Sequence, residues 1–197
     1  WLLTSHKKGI ASTQLAKDIE VTQKTAWFML HRLRHAAFTK SFNEPLEGAV
    51  EVDETFVGGK SFNKPRRQRT GIRGHKGKAV VLGMLERDGE LRAGVVPNVK
   101  QETIQPIVYA HVAPGSTLYT DEAGTYRGIQ GFNHQTTSHA QGIYVVDGHN
   151  HTNSIEGVWA LLKRQIVGVH HWVSPKHLSR YVDEMSWRYN RRDMAEG

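Results

Sequence analysis

The 197-residue chain contains no cysteine, which excludes a disulfide framework, thiolate-bound zinc and a thiol nucleophile. No apolar run approaches the ~20 residues that a membrane-crossing helix needs. No basic segment followed by an apolar one opens the chain, so the expected compartment is the cytoplasm. Internal repeats and low-complexity tracts are absent as well. Apolar and aromatic residues are not scarce: 38% hydrophobic residues with five Trp, six Tyr and six Phe do not fit disorder. They support one globular core of ordinary size with at most a small appended module.

Acid is missing from one stretch only. Lys and Arg number 26 against 19 Asp and Glu, a net charge of +7, and Lys60 to Lys78 holds eight cations and no acid, which leaves the remainder near −1. The basicity is therefore local. Lys60, Lys64, Arg66, Arg67, Arg69, Arg73, Lys76 and Lys78 stand among Gly, Pro and Asn. They form a cationic arm suited to a phosphate backbone by counterion release. The bland alternative is a solvated loop without a partner. No amphipathic apolar face accompanies the charges, which disfavours a membrane surface.

The first forty residues read as two short helices with a tight turn at Glu20-Val21-Thr22, the second opened by Thr22 or Gln23 and running from Lys24 to His35. Ala16, Ile19, Val21, Ala26, Met29, Leu30 and Leu33 fall where a helix-turn-helix needs inward residues, and Gln23, Lys24, Thr25 and Phe28 fall on its exposed start. Those positions, with Arg32 and Arg34 in the cation-rich end, are the expected groove-facing set. A plain helical hairpin shows the same pattern. Asn43-Glu44-Pro45 reads as a linker.

From Gly48 the period changes to that of strands. Val50 to Val57, Ala79 to Leu85 and Leu91 to Val96 are the candidates, the last two joined at Asp88-Gly89. Gln101 to Val112 reads as a helix, Ser116 to Thr120 as a short strand running into Asp121, and Thr136 to Ala140 and Ile143 to Val146 as weaker extended segments. Asn153 to Val167 is helical, with Ile155, Trp159, Leu162 and Ile166 inward, and so is Pro175 to Tyr189, with Leu178, Tyr181, Val182, Met185 and Tyr189 inward. Three strands, helix, strand, short helix, strand, helix is an α/β order with a mixed sheet, matching a ribonuclease-H-like layout. The expected division is a helix-turn-helix segment over 1–42 and a catalytic domain over 46–197 with the basic loop 60–78.

Three acids stand out. Asp53 lies inside a half-buried strand, where acids are disfavoured; Asp121 ends another strand, and Glu156 lies in the first turn of a helix. Such strands and such a helix can bring the three together as an oxygen-only cluster for divalent cations. Lys163, seven residues after Glu156, falls on nearly the same helix face. Each acid has a plain structural reading too. Asn153 can cap the helix with Glu156 folding back on it, Asp121 can cap a short helix, and Asp53 can be a surface acid beside Glu51.

The stretches VEVDETFVGGK, LYTDEAGTY and HTNSIEGVWALLKRQIVGVHHWVSPKHLSRYVDEMSWRYNRR resemble the three blocks of bacterial insertion-sequence DDE transposases. The closer likeness is to the ISXO2-like group, which joins a zinc ribbon and a helix-turn-helix to a ribonuclease-H-like core. The resemblance implies that Asp53, Asp121 and Glu156 bind Mg²⁺, with Mn²⁺ as a substitute, and that Lys163 is the basic residue after the glutamate. It implies DNA cleavage and strand transfer by a homo-oligomer on DNA, with no small-molecule substrate and no membrane partner. Some relatives use Asn or His as third ligand, so Asn153 stands as alternative ligand, cap or outer support for Glu156, with His151 beside it.

The sequence departs from the group in lacking a zinc ribbon and in opening at Trp1, so it reads as a fragment. Twelve His are many, and His134, His139, His149 and His151 precede Glu156. A zinc or HNH-type site there lacks the required spacing, and one of these His is expected near the acids. His170 and His171 are expected to pack near Trp172. The competing readings are an inactive or domesticated DNA-binding relative and a nuclease without strand transfer.

Overall fold

A computed structural model describes residues 8–37, 44–58, 77–121, 124–137 and 152–192. The arm residues Lys64, Arg66, Arg67, Arg69, Arg73 and Lys76, together with His139, His149, His151 and the segment Ile143 to Val146, lie outside them. The chain divides into two compact units. One holds the sheet and extends to Trp159; the other holds the N-terminal helices and the chain from Ala160 on. In the second unit the last helix packs with the first ones.

The sheet unit is built on β1 (Ala49–Val57), β2 (Ala79–Glu86), β3 (Leu91–Val96), β4 (Thr117–Asp121) and β5 (Asn133–Thr137). The strand order is β3-β2-β1-β4-β5. β1, β2 and β3 form an antiparallel meander, whereas β4 pairs parallel to β1 and β5 parallel to β4. This is the ribonuclease-H-like mixed sheet. The Asp88-Gly89 turn closes the β2–β3 hairpin, with Asp88 at φ 60° and the Gly89 amide donating to the Glu86 carbonyl at 3.0 Å. Central β2, covered on both faces, reads as an unbroken apolar run.

Alternation along the strands separates two faces. Val50, Val52, Val80, Leu82, Met84 and Leu118 bury one face with Ile104 and Val108 of α3 (Gln101–His111). Glu51, Asp53, Gly83 and Tyr119 lie on the other, where the first half of α4 (Asn153–Gln165) packs. β5 begins at Asn133, three residues before the expected extended segment. Its start is set by pairing with β4, Asn133 opposite Thr117, which no local pattern encodes.

In the helical unit, α1 (Ser12–Asp18) and α2 (Gln23–Ala37) are joined by a tight turn with Glu20 at φ 54° and the Val21 amide on the Ala16 carbonyl at 3.0 Å. Thr22 caps α2, its Oγ1 accepting from the Thr25 amide at 3.2 Å. Ile10, Leu15, Ala16, Ala26 and Leu30 form the core, with Ile19 and Val21 against it. Met29 and Leu33, expected inward, are exposed, since Ala26, Leu30 and Arg34 take the buried face of α2.

Arg34 corrects the sequence reading. It is only 3% exposed, and its Nε donates to Glu184 Oε2 of α5 (Leu178–Asn190) at 2.6 Å, so its guanidinium faces the core rather than a groove. Arg188 Nη2 donates to Glu184 Oε1 at 2.8 Å, and the Tyr181 ring lies 4.1 Å from the Arg34 guanidinium carbon. Gly9, at φ 80°, passes so close that a Cβ there would stand 2.9 Å from Glu184 Oε1. His170 packs on the Tyr181 ring at 4.7 Å instead of on Trp172, which is exposed.

Burial pushes the Glu184 carboxyl up, but Arg34 and Arg188 outweigh it and hold it below the ordinary value of 4.5. Because the folded value is depressed, this stabilisation is complete above about pH 4.5 and is lost as pH falls through the folded value. Glu184→Ala should cost about 3 kcal/mol or more in urea unfolding at pH 7. Glu184→Gln should remove part of the acid sensitivity; an unchanged stability-versus-pH curve between pH 3 and 5 would refute the assignment.

Candidate active site

Glu51 and Asp53 are two residues apart on β1 and therefore face the same way. Glu51 is fully buried. Its Oε1 accepts from Arg87 Nε at 2.9 Å and its Oε2 from the Ile155 amide at 2.9 Å. Arg87 in turn lies over the Tyr119 ring, 4.0 Å from its centroid. An acid of β1 thus satisfies an otherwise orphaned N–H in the first turn of α4. The first backbone turn closes from the Glu156 amide to the Thr152 carbonyl at 3.1 Å, so Thr152 rather than Asn153 takes the capping position. Asn153 is exposed at the first residue of α4.

Asp53 is held from the same helix. Trp159 Nε1 donates to Asp53 Oδ2 at 2.8 Å. The indole reaches it across Gly83, which stands opposite Asp53 in the β1–β2 register. A Cβ on Gly83 would lie 2.4 Å from Trp159 Cη2, so only glycine admits the ring.

β1 and β4 are adjacent and parallel, with Ala49 opposite Thr117, Val50 opposite Leu118 and Glu51 opposite Tyr119, a constant offset of 68 positions. Asp53 and Asp121 are separated by the same interval. The paired stretch ends at Glu51 and Tyr119, two residues before Asp53 on β1 and Asp121 on β4. Glu156 lies on the exposed side of the first turn of α4.

Burial raises the Asp53 carboxyl above its ordinary value of 3.8. The Trp159 and Glu54 hydrogen bonds draw it down, and the charges of Asp121 and Glu156 push it up again. Both of the other acids therefore act on Asp53. On the opposite face, burial and the charges of Asp53 and Asp121 lift Glu54 to about 7, against the Tyr126 hydroxyl that donates to its Oε1 at 2.6 Å. His134 is the described member of the His group, bonded through Nε2 to Thr120 Oγ1 at 2.8 Å beside Asp121. Among the described residues no three His, Asp or Glu side chains are gathered as a ready-made cation site. Asp53, Asp121 and Glu156 offer oxygen donors only, the ligand type that hard divalent ions take.

A family model described as the ISXO2-like transposase domain matches residues 45–190. The chain belongs to that family. This transposase is also 30% identical over 102 residues to an "Uncharacterized transposase-like protein" of Haemophilus influenzae, an overlap covering 51% of this chain and 80% of the relative. The match spans the whole sheet and both C-terminal helices α4 and α5.

Of the other sequence-predicted residues of the transposase, Lys163 is exposed two turns beyond Glu156 on α4, and Gln23, Lys24, Thr25 and Arg32 are exposed on α2. Gln23 Nε2 bonds Ser12 Oγ at 3.0 Å, and Arg32 lies over the Phe28 ring. Sequence reasoning missed the supporting roles of Glu51, Arg87, Gly83 and Trp159. The available signals were the same-face spacing of Glu51 and Asp53 and a glycine inside an apolar strand.

Gly83→Ala is expected to destabilise the fold by about 1–3 kcal/mol through overpacking against Trp159. Combining it with Trp159→Phe should be clearly less than additive in urea melts. Strict additivity would show that the two side chains do not compete for one space.

Proposed function

We propose that the chain is the DNA-binding and catalytic part of an insertion-sequence transposase, cleaving DNA strands and transferring the freed ends with Asp53, Asp121 and Glu156 as the functional triad. Two observations together carry the reading. The β1–β4 register has the offset that separates Asp53 from Asp121, and the Asp53 carboxyl responds to the charges of both Asp121 and Glu156. Family membership supports DNA as the partner.

The triad would hold Mg²⁺, or Mn²⁺ in its place, and a cation there would relieve the repulsion that Asp53 experiences. When bound, such ions stabilise the charge that develops on a transferring phosphoryl group. The chain's own groups hold the site. Trp159 orients the Asp53 carboxylate, Glu51 ties α4 to β1, and the exposed ammonium of Lys163 meets a DNA phosphate. Asn153 supports Glu156 from the start of the helix. No side chain is needed as nucleophile. Water adds to a phosphodiester and breaks its P–O3′ bond, leaving a 3′ hydroxyl and a 5′ phosphate. That hydroxyl then bonds to a target phosphorus while the target's own 3′ oxygen departs with the proton.

DNA is held by Gln23, Lys24, Thr25 and Arg32 of a helix-turn-helix and by the arm residues Lys64, Arg66, Arg67, Arg69, Arg73 and Lys76. A homo-oligomer holds two element ends together. No described helix is long and apolar enough to cross a membrane, and cytoplasmic action at the nucleoid is part of the proposal. The absence of a ready-made cation site among the described residues favours, as second reading, a relative that binds DNA without cutting it.

Asp53→Asn, Asp121→Asn and Glu156→Gln should each abolish Mg²⁺-dependent nicking and joining of labelled duplex DNA while leaving affinity within a few fold. Loss in Asn153→Ala with retention in Glu156→Gln would transfer the third role to Asn153. DNA binding by the unaltered chain with no cleavage would establish the second reading. Replacing Arg66, Arg67 and Arg69 by Ala should flatten the salt dependence of DNA affinity by ~0.9 per lost phosphate contact; an unchanged slope would make the arm a bystander.

A further inference from the structure

Beyond α4 the helical unit carries a feature that neither its core nor the triad uses. The helix passes into a π-helical turn, Ile166–His170, and then into His171 at φ 59° and ψ −39°. A π-turn is one way for a helix to end, and a non-glycine residue at positive φ is strained. The Trp172 amide closes this bend on the His170 carbonyl at 2.7 Å. Ile166 and Val173 on either side are buried. The backbone around Trp172 is thereby pinned at both ends.

The side chains it presents are apolar and outward. Trp172 and Val167 are each 67% exposed, the largest exposures among the described large hydrophobic residues. A tryptophan that served only packing would turn its ring inward. The adjoining chain is basic on both sides: Lys163 and Arg164 are exposed in the last turn of α4, Lys163 one turn before Val167, and Lys176 is exposed four residues after Trp172. An aromatic face held rigid beside cations is the arrangement that binds unpaired nucleotides, the ring stacking on a base and the cations meeting the adjoining phosphates. Rigidity lowers the entropy lost on binding. The basic flank disfavours the same face of a second copy of this chain as occupant.

We propose that Trp172, with Val167 and Arg164, forms a stacking platform for an unpaired nucleotide of a DNA strand end. The proposal rests on the reading of DNA as partner. It assigns Trp172 a preference for frayed or single-stranded ends over intact duplex, with no part in the chemistry.

The test compares binding of a blunt duplex with that of the same duplex carrying a thymidine tail that contains one 2-aminopurine. The unaltered chain should prefer the tailed DNA and quench the 2-aminopurine. Trp172→Ala should lose roughly five-fold or more in affinity for the tail and lose the quenching, with blunt-duplex affinity and salt slope unchanged. Trp172→Phe should retain most of the preference, and Arg164→Ala should flatten the salt slope on tailed DNA alone. Equal tail preference in the unaltered chain and Trp172→Ala, with duplex binding intact, would overturn the platform and leave the DNA reading standing. Absence of binding to either DNA by the unaltered chain would overturn both. Unchanged tail affinity in Trp172→Ala accompanied by a smaller sedimenting species would assign the face to a second copy and overturn the platform.

Discussion

A single buried carboxylate fixes the geometry of the sheet unit. Glu51 lies in the central region of the sheet, out of reach of water, and a charge there is tolerated only when every oxygen has a donor. Arg87 satisfies one oxygen and the Ile155 amide the other. The second bond is the consequential one, because it ties the first turn of α4 to β1 at a defined height. Helix position over a sheet is otherwise set by apolar packing, which tolerates sliding; a buried ion-to-amide bond does not. Asp53 stands one pleat further along β1 and Glu156 one residue beyond the anchored amide, so both inherit their placement from Glu51.

The Trp159–Gly83 contact works in the same direction. It is costly in strand propensity, since glycine weakens a strand interior, but it lets a large indole lie flat enough to donate to Asp53. Asp53 is held in a half-desolvated place with a raised protonation tendency and with other acids near it. Such an arrangement is poor for stability and suits the proposed chemistry on phosphates, where carboxylates must be oriented before a cation or substrate arrives. The helical unit shows the contrasting use of charge. Arg34, Glu184 and Arg188 neutralise one another inside a core, and the glycine at position 9 makes room for them.

Much of the fold was legible beforehand. The change of period at Gly48, the Asp88-Gly89 turn and the apolar stripes of α4 and α5 led to the observed element order. Residues whose role is set by their own segment, such as Ile155, Trp159, Leu162 and Leu178, were correctly expected to be buried. Positions that depend on a distant partner were not. Arg34 has the composition of a surface cation and is buried because Glu184 waits 150 residues away. Met29 and Leu33 fit an inward stripe and are exposed because α5 meets α2 along a different line.

The sequence by itself determined the α/β class, the family likeness in three blocks, the cationic arm and the acids at intervals of 68 and 35. Those properties are carried by residue type and local periodicity, which survive without tertiary contacts. Only the tertiary structure decided that Glu51 is a buried anchor, that Trp159 reaches Asp53 over Gly83, and that the 68-residue interval coincides with a parallel register. Hydrogen bonds spanning 104 and 106 positions cannot be read from either end alone. They exist because strand pairing and helix docking bring chemically ordinary side chains within bonding distance, and burial then makes each such bond obligatory.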